Sequence, residues 1–500
     1  MVTELNPVSF LNEIRNRIIS NPRYISLLIL DRFTSKNTSF KQTSSALLEK
    51  YKLSELDRRF IYQLAKGTVR FMLKIDFAVT FFSGLKISKV NPSLLNILRL
   101  AFYQILYMDR VPAYAIVNES VEIAKKISGA NSAKFVNAIL RKISGKNQPM
   151  AVIEDAIRKN TGSPEKYMSL QYAFPLWIIK EWCRIYEKSN VEKICRTLNG
   201  EPYIYARINC LKTDKNKVTA LFSYSGFKGF DDYPAIIEGR YPAGIFSDTF
   251  CLESTQDIRK IPGYSEGFFS IQDFSSQIAV KYILNPHSGE KILDLCGAPG
   301  GKAAYASEIS GNNCEIFSVD INPKKLELFS DNIKRLGLAN ISLVEADATV
   351  NGFLEYKDKR SSFFYGYFDK IFIDAPCSAL GTIAKNPDVK YLKGFTDLKK
   401  LADKSGKILN NSLKYLKKNG KIIFYTCTLS SIENQDMIES FIGKNKNDYI
   451  IEPLDDIFRI FDNISESSNW IKDPKQHFLQ IMPYYFNSEG GFACVLKKIR

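Results

Sequence analysis

From residue 10 to about 142, apolar residues return every three or four positions in ISLLILDRF, LDRRFIYQLAKGTVRFM, LLNILRLAFYQILYM and AIVNESVEIAKKI, the spacing of one face of an α-helix. Breakers separate these runs: Asn91-Pro92-Ser93 and Val111-Pro112 suit helix starts, and the polar stretch SGKNQP at 144–149 reads as a linker. Between about 160 and 265 the pattern is mixed. SLQYAFPLWIIKEWCRIY predicts one aromatic-rich helix, YIYARINCLK a strand and KVTALFSYSGF a further helix. From about 266 onward, short apolar runs alternate with amphipathic helices, the signature of a parallel α/β sheet with helices on both faces. The strand candidates are KILDLC (291–296), EIFSVDI (315–321), ISLVEAD (341–347), KIFIDA (370–375) and GKIIFYTC (420–427). The helix PKKLELFSDNIKRLG is bounded by Asn322-Pro323 and Gly337.

Length and composition narrow this picture. With 500 residues, 45% hydrophobic and 24% charged, the chain can bury two or three cores and is neither disordered nor a single compact domain. No apolar run approaches the ~20 residues that span a bilayer, and the opening MVTELNPVSFLNEIRNR has no apolar signal region, so a cytoplasmic protein without a membrane is expected. The net charge of +16 is concentrated: residues 1–150 carry 23 Lys/Arg against 10 Asp/Glu, or +13, and the other 350 carry +3. A basic N-terminal surface fits phosphate neutralisation, although a merely solvated face would look the same. The nine cysteines are scattered without a CxxC pair, and His287 and His477 are the only histidines, which leaves little for a zinc site or a histidine-based triad. Reduced thiols and no metal are expected.

The turn after the first strand candidate reads Asp294-Leu295-Cys296-Gly297-Ala298-Pro299-Gly300-Gly301-Lys302 and runs into a helix. It lacks the leading glycine and the Ser/Thr of a phosphate-binding Walker loop, and its glycines, at 297, 300 and 301, do not fit the dinucleotide GxGxxG pattern. S-adenosylmethionine needs a crevice at the carboxyl ends of the strands, with an acid for the ribose hydroxyls and polar groups near the adenine and amino-acid ends. Asp320, Asp347 and Asp374 close three successive strand candidates. Any one alone reads more readily as a helix cap; three in a row point to a cofactor crevice.

Two cysteines follow the next strand ends: Cys377 in DAPCSALGT and Cys427 in YTCT, 50 residues apart. If their strands are neighbours, both thiols project into the crevice. Cys183, Cys195, Cys494 and Cys296 fit a buried structural role instead. Cytosine C5 cannot attack a methylsulfonium unaided, so a thiolate must first add at C6, and a base must later remove the C5 proton before the thiol leaves. For such a base, Asp374 could hydrogen-bond the N3/N4 edge and stabilise the protonated adduct.

CGAPGGK, the aspartate of VDIN, DAPCSALGT and YTCT at this spacing resemble the RNA 5-methylcytosine methyltransferase family that includes the RsmB, Nop2 and NSUN groups. FFSIQDFSSQIAV (268–280) and ARIN (206–209) match further landmarks. DRRFIYQLAKGTVR, ILRLAFYQILYMDRVPAYAIVNESVEIAKK and KFVNAILRK, with Arg70, Arg99, Gln104, Asn118 and Asn137 inside them, resemble a NusB-type helical RNA-binding domain. That coupling resembles the bacterial branch acting on 16S (small-subunit) rRNA.

The resemblance implies an α plus α/β chain. It would comprise a NusB-like helical domain (1–148), a connecting helical and α+β subdomain contacting RNA (149–265) and a Rossmann-like class I methyltransferase domain (266–500). It implies Cys427 as nucleophile and Cys377 as the group promoting release. It further implies S-adenosylmethionine contacts at Cys296, Gly297, Ala298, Pro299, Gly300, Gly301, Lys302, Asp320, Asp347 and Asp374. The expected partner is RNA, namely 16S rRNA, free or in an early assembly intermediate, and the chain is expected to act as a monomer. Two departures stand out: Thr428 where relatives commonly have Ser, and Ala384-Lys385-Asn386 where they often have Arg-Arg-His. Three other readings stay open: Cys377 as nucleophile, a non-catalytic RNA-binding factor, and a redox switch pairing the two thiols.

Overall fold

The structure is a computed structural model that describes residues 21–36, 38–225, 230–231, 248–252, 257–355, 364–462 and 477–500. The chain forms two compact units, one of residues 1–199 with 385–394 and one of 200–384 with 395–500. Compactness therefore groups the helices of 149–199 with the first unit and the strands after Asn199 with the second.

The described residues of the first unit form helices and the turns between them. Its successive helices include Pro22–Lys36, Phe40–Lys50, Glu55–Arg70, Met72–Ser83, Pro92–Tyr107 and Ala113–Ser144. Their apolar stripes meet in one core holding Ile25, Leu64, Ile75, Leu98, Phe102 and Leu140. Asn91 starts its helix as expected: its side chain accepts the N–H groups of Ser93 and Leu94, with Pro92 at the first helical position. The long helix is interrupted at Gly129, whose φ of 81° lies outside helical space. The expected linker at 144–149 is a short turn leading to the helix Pro149–Asn160.

One expectation fails. The run SLQYAFPLWIIKEWCRIY is two helices, Pro164–Gln171 and Leu176–Ile185, because Ala173 takes a left-handed φ of 55° and Pro175 cannot donate a helical bond. Of the polar residues noted inside the bundle, Arg70, Arg99 and Gln104 are buried, whereas Asn118 is exposed and Asn137 half-buried. Arg99 makes a two-pronged ion pair with Asp76 at 2.6 and 2.7 Å and also bonds Asn96.

The segment 385–394 completes this unit. Asp388 accepts the N–H of Phe40 at 2.9 Å, at the start of a helix whose own cap residue, Ser39, makes no side-chain cap. Lys390 is fully buried; its ammonium bonds the carbonyls of Arg70 and Ala173 and the Asn199 side chain and lies over the Phe174 ring. Burial holds that lysine well below its ordinary pKa.

The second unit has two sheets. The smaller is antiparallel, of β1 (Ile204–Ile208), β2 (Phe230–Asp231), β3 (Thr249–Leu252) and β4 (Phe269–Ile271), ordered β2-β3-β1-β4. The larger contains β5 (Lys291–Leu295), β6 (Glu315–Asp320), β7 (Ile341–Glu345), β8 (Phe368–Asp374) and β9 (Leu416–Thr426), the five expected strands, all parallel. To these it adds β10 (Tyr449–Glu452), β11 (Phe478–Ile481) and β12 (Gly491–Lys498). The order is β10-β12-β9-β8-β5-β6-β7, with β12 antiparallel to β9 and β11 paired on β12, so the sheet is mixed.

Successive residues of β5 face opposite cores: Ile292 packs with Ala303, Tyr305 and Phe274, while Leu293 packs with Ile408, Leu409 and Ile438. Helices thus cover both faces, and the carboxyl ends of the parallel strands are left as the place for a ligand. Among the described residues no helix is long and apolar enough to cross a membrane.

Candidate active site

The turn after β5 is shaped by residues with unusual backbone. Cys296 and Gly300 have φ of 60° and 94°, and the Ala298–Pro299 peptide is cis. Gly297 has no room for a side chain, since a Cβ there would lie 1.9 Å from Asp294 Oδ2 and 2.1 Å from Ser318 Oγ. The turn is bonded to β6: Gly297 N–H donates to the Val319 carbonyl, and Ala298 N–H to Asp320 Oδ2 at 3.2 Å. Asp320 Oδ1 accepts the N–H of Asn322. The helix Gly301–Ile309 then begins at the crevice, and Lys302 in its first turn reaches Asp374 at 2.7 Å.

Beneath the turn, Asp294 is buried, bonded by Ser318 Oγ at 2.6 Å, and has Oδ1 without a hydrogen-bond partner. Burial pushes its carboxyl up to about 7. Cys296 is pushed up to about 12 by burial and by the charges of Asp374, Asp320 and Asp294. Burial works against the Lys302 ammonium, but the charge and hydrogen bond of Asp374 outweigh it and hold the lysine above its ordinary value.

The two cysteine turns follow neighbouring parallel strands, where Ile373 pairs with Phe424 and Asp374 with Tyr425. The sulfurs of Cys377 and Cys427 lie 3.4 Å apart, and both thiols are free. Cys427 is held well above its ordinary pKa by the Cys377 hydrogen bond, by burial and by the charges of Cys377, Asp374 and Glu489. Beside it, buried Tyr425 bonds Ser275 at 3.0 Å and faces the Lys302 ammonium across its ring.

The structure therefore brings together the 296–302 turn, Asp320, Asp374, Cys377 and Cys427. Asp347 differs: it lies two residues beyond the end of β7 and spends Oδ1 on its own turn, accepting the N–H and hydroxyl of Thr349. Its neighbour Ala346 is tied to the Asp320 carbonyl, which keeps this segment beside β6.

Of two further groups here, Glu433 was not singled out from the sequence and Arg207 stood there only inside the ARIN stretch. Glu433, 2% exposed, accepts the Ser378 N–H at 2.6 Å and hydroxyl at 2.5 Å together with the Thr428 hydroxyl at 3.2 Å, joining the turns that carry Cys377 and Cys427. Arg207, fully buried, bonds Gln272 and Glu308 and lies over Tyr305, bracing the helix Gly301–Ile309 from below. A carboxylate in SIENQ and an arginine in a strand carry no local signal of such partners, which are 55 and 101 residues away.

Residues 281–497 match the family described as 16S rRNA methyltransferase RsmB/F, and residues 20–145 match the NusB family. The probable ribosomal RNA small subunit methyltransferase B of Bacillus subtilis is 31% identical over 460 residues, 91% of this chain and 93% of that one. The protein of the same name in Synechocystis sp. is 29% identical over 476 residues, 95% of this chain and 99% of that one. A solved structure, that of PH0851, shares the fold with a TM-score of 0.72 at 18% identity, over 96% of this chain and 99% of that one.

Proposed function

The chain belongs to the RsmB/F family of 16S rRNA methyltransferases, with a NusB-family domain at its N-terminal side, and from that membership we propose the reaction it performs. It transfers a methyl group from S-adenosyl-L-methionine to C5 of a specific cytosine in 16S rRNA, through a covalent bond between Cys427 and C6. The observation that carries this reading is the pair of free thiols 3.4 Å apart at the ends of adjacent strands.

The residues of the crevice fit the cofactor. Each oxygen of Asp320 accepts one backbone N–H and keeps a lone pair, which suits ribose hydroxyls. The 296–302 turn brings backbone close to a ligand at a helix start, and Lys302 and Asp374 offer one charge of each sign for an amino-acid moiety. Asp347, in the turn after β7, is the residue we assign to the adenine, through the oxygen its own turn does not use. When bound, S-adenosylmethionine supplies an electrophilic methyl group.

Cys427 rests as the thiol and, once it has lost its proton, adds to C6 so that C5 gains enamine character and can take the methyl. As the sulfur adds, N3 takes up a proton, and Asp374 accepts from the N3/N4 edge and offsets the positive charge of that protonated adduct. When the C5 proton has gone, the C6–S bond breaks, and Cys377 promotes that release from its position against Cys427. The target base must leave its stack to reach the crevice, and the basic N-terminal bundle holds the surrounding backbone.

The test uses the full chain, 16S rRNA transcript and S-adenosylmethionine labelled in the methyl group. Wild type should modify one cytosine, read by bisulfite sequencing. Cys427→Ala should form no covalent RNA complex, and Cys377→Ala should trap one. A covalent complex formed by Cys427→Ala would reverse the assignment, and a methyl group found elsewhere than cytosine C5 would overturn the reaction.

A further inference from the structure

We propose that Glu433 is a positioning residue that fixes the Cys377 turn against Cys427 and thereby sets the rate at which the methylated RNA is released. The inference rests on the roles given above to the two cysteines.

The two cysteines are held by unequal means. Cys427 directly follows β9, which is laddered to β8 on one side and to β12 on the other, so its backbone is fixed by the sheet. Cys377 sits in a turn between β8 and the short 3-10 helix Leu380–Thr382. That turn contains Ala379 at φ 60° and ψ 28°, a left-handed conformation that is strained for a residue with a Cβ. Such a turn persists only where its surroundings over-determine it.

Several ties do so. Ser405 Oγ bonds the Pro376 carbonyl at 3.1 Å, Gly381 N–H bonds the Cys427 carbonyl at 3.0 Å, Gly490 N–H bonds the Gly381 carbonyl at 3.0 Å and Thr382 N–H bonds the Ala379 carbonyl at 2.9 Å. These act at either side of Ser378; at Ser378 itself the bonds run to Glu433, which also takes the Thr428 hydroxyl, 2.8 Å from that of Ser378. Ser378, the residue next to Cys377, thus gives Glu433 both its N–H and its hydroxyl.

A carboxylate suits this place. It accepts several donors at once and donates none, so both turns are drawn to one point. A glutamine would have to aim its NH2 at a hydroxyl that now donates. Glu433 is buried, with Oε1 and Oε2 both engaged, so it acts through geometry and not by carrying a proton from the substrate. Losing it frees Cys377 to drift from the 3.4 Å contact while Cys427 stays where β9 places it.

The experiment follows adduct formation and adduct decay separately, in single turnover, on 16S rRNA transcript with the full chain. The variants are Glu433→Ala, Glu433→Gln, Ser378→Ala, Cys377→Ala and the double variant Glu433→Ala/Cys377→Ala. A displacement of about 1 Å can cost about 100-fold in rate. Glu433→Ala should therefore leave adduct formation within about threefold of wild type, slow decay by about 100-fold and accumulate the complex. Glu433→Gln and Ser378→Ala should each slow decay by about tenfold, keeping the test alive if the alanine at 433 does not fold. In the double variant decay should be no slower than in Cys377→Ala alone.

Equal losses in formation and decay across the foldable variants, or a double variant slower than Cys377→Ala by the full Glu433 factor, would overturn the inference. If Cys377→Ala itself traps nothing while wild type methylates, the release role of Cys377 fails instead, and the two failures are told apart.

Discussion

Lys302 Nζ and Asp374 Oδ2 lie 2.7 Å apart, tying the first turn of the helix Gly301–Ile309 to the end of β8. The pair spans the crevice between the turn after β5 and the turn carrying Cys377, and the Asp374 charge holds the Lys302 ammonium against its burial. Lys302→Met leaves Asp374 uncompensated beside Asp294, and Asp374→Asn leaves the ammonium so. Either change should weaken S-adenosylmethionine binding by about tenfold, or about 1.4 kcal/mol, measured by calorimetry. Unchanged affinity in both would remove the pair from the cofactor site.

Asp294 gives a pH prediction of definite sign. Its folded-state value of about 7 lies above that of the unfolded chain, so the protonated acid favours folding. That stabilisation is whole below about pH 4 and is lost as the pH rises through about 7, amounting to a few kcal/mol. Asp294→Asn, which stays neutral and can still accept from Ser318, should raise the melting temperature above wild type at pH 8 and lose that advantage toward pH 4. A melting-temperature difference that does not change with pH would contradict this.

Gly300 is required by both conformation and space. Its φ is 94°, and a Cβ there would lie 2.0 Å from the buried Phe329 ring. Gly300→Ala should destabilise the second unit by about 2–3 kcal/mol and weaken cofactor binding in parallel, read by thermal melting and calorimetry. Wild-type melting behaviour would show that the turn can relax more easily than this packing allows.

Much of this was legible before the structure. The five parallel strands announced themselves as short apolar runs, and Asp320, Asp374, Cys377 and Cys427 could be placed at strand ends because a parallel sheet puts its ligands there. Adjacency of β8 and β9 turned a spacing of 50 residues into a sulfur contact. What stayed hidden lies in local backbone turns and in distant partners. The break at Ala173 arises from a left-handed residue before Pro175, which helical periodicity does not register. The strands β10, β11 and β12 are additions at the other side of β9, and of the antiparallel sheet only β1, within YIYARINCLK, was expected, β2 to β4 being too short to stand out. Glu433 reads in sequence as an ordinary polar loop residue; only the convergence of Ser378 and Thr428 gives it meaning.

Asp388 supplies a cap to a helix 348 residues earlier, through the N–H of Phe40. Asp388→Ala removes both the acceptor and a negative charge at the helix start. It should cost about 1 kcal/mol, a fall of about 2–4 °C in the melting of the helical unit followed by circular dichroism. Asp388→Asn, which keeps an acceptor, should lose about half as much. Equal melting of all three proteins would show that Phe40 N–H finds water at no cost.

The membership of 385–394 in the first unit also sets an order of events during synthesis. Residues 1–199 leave the ribosome first, yet the lysine that fills their interior and the carboxylate that caps their second described helix are encoded roughly 190 residues later. At typical elongation rates of 5–20 residues per second, the nascent bundle waits about 10 to 40 s for its last pieces. Any product that terminates before residue 385 lacks the Asp388 cap and the Lys390 bonds that complete this unit.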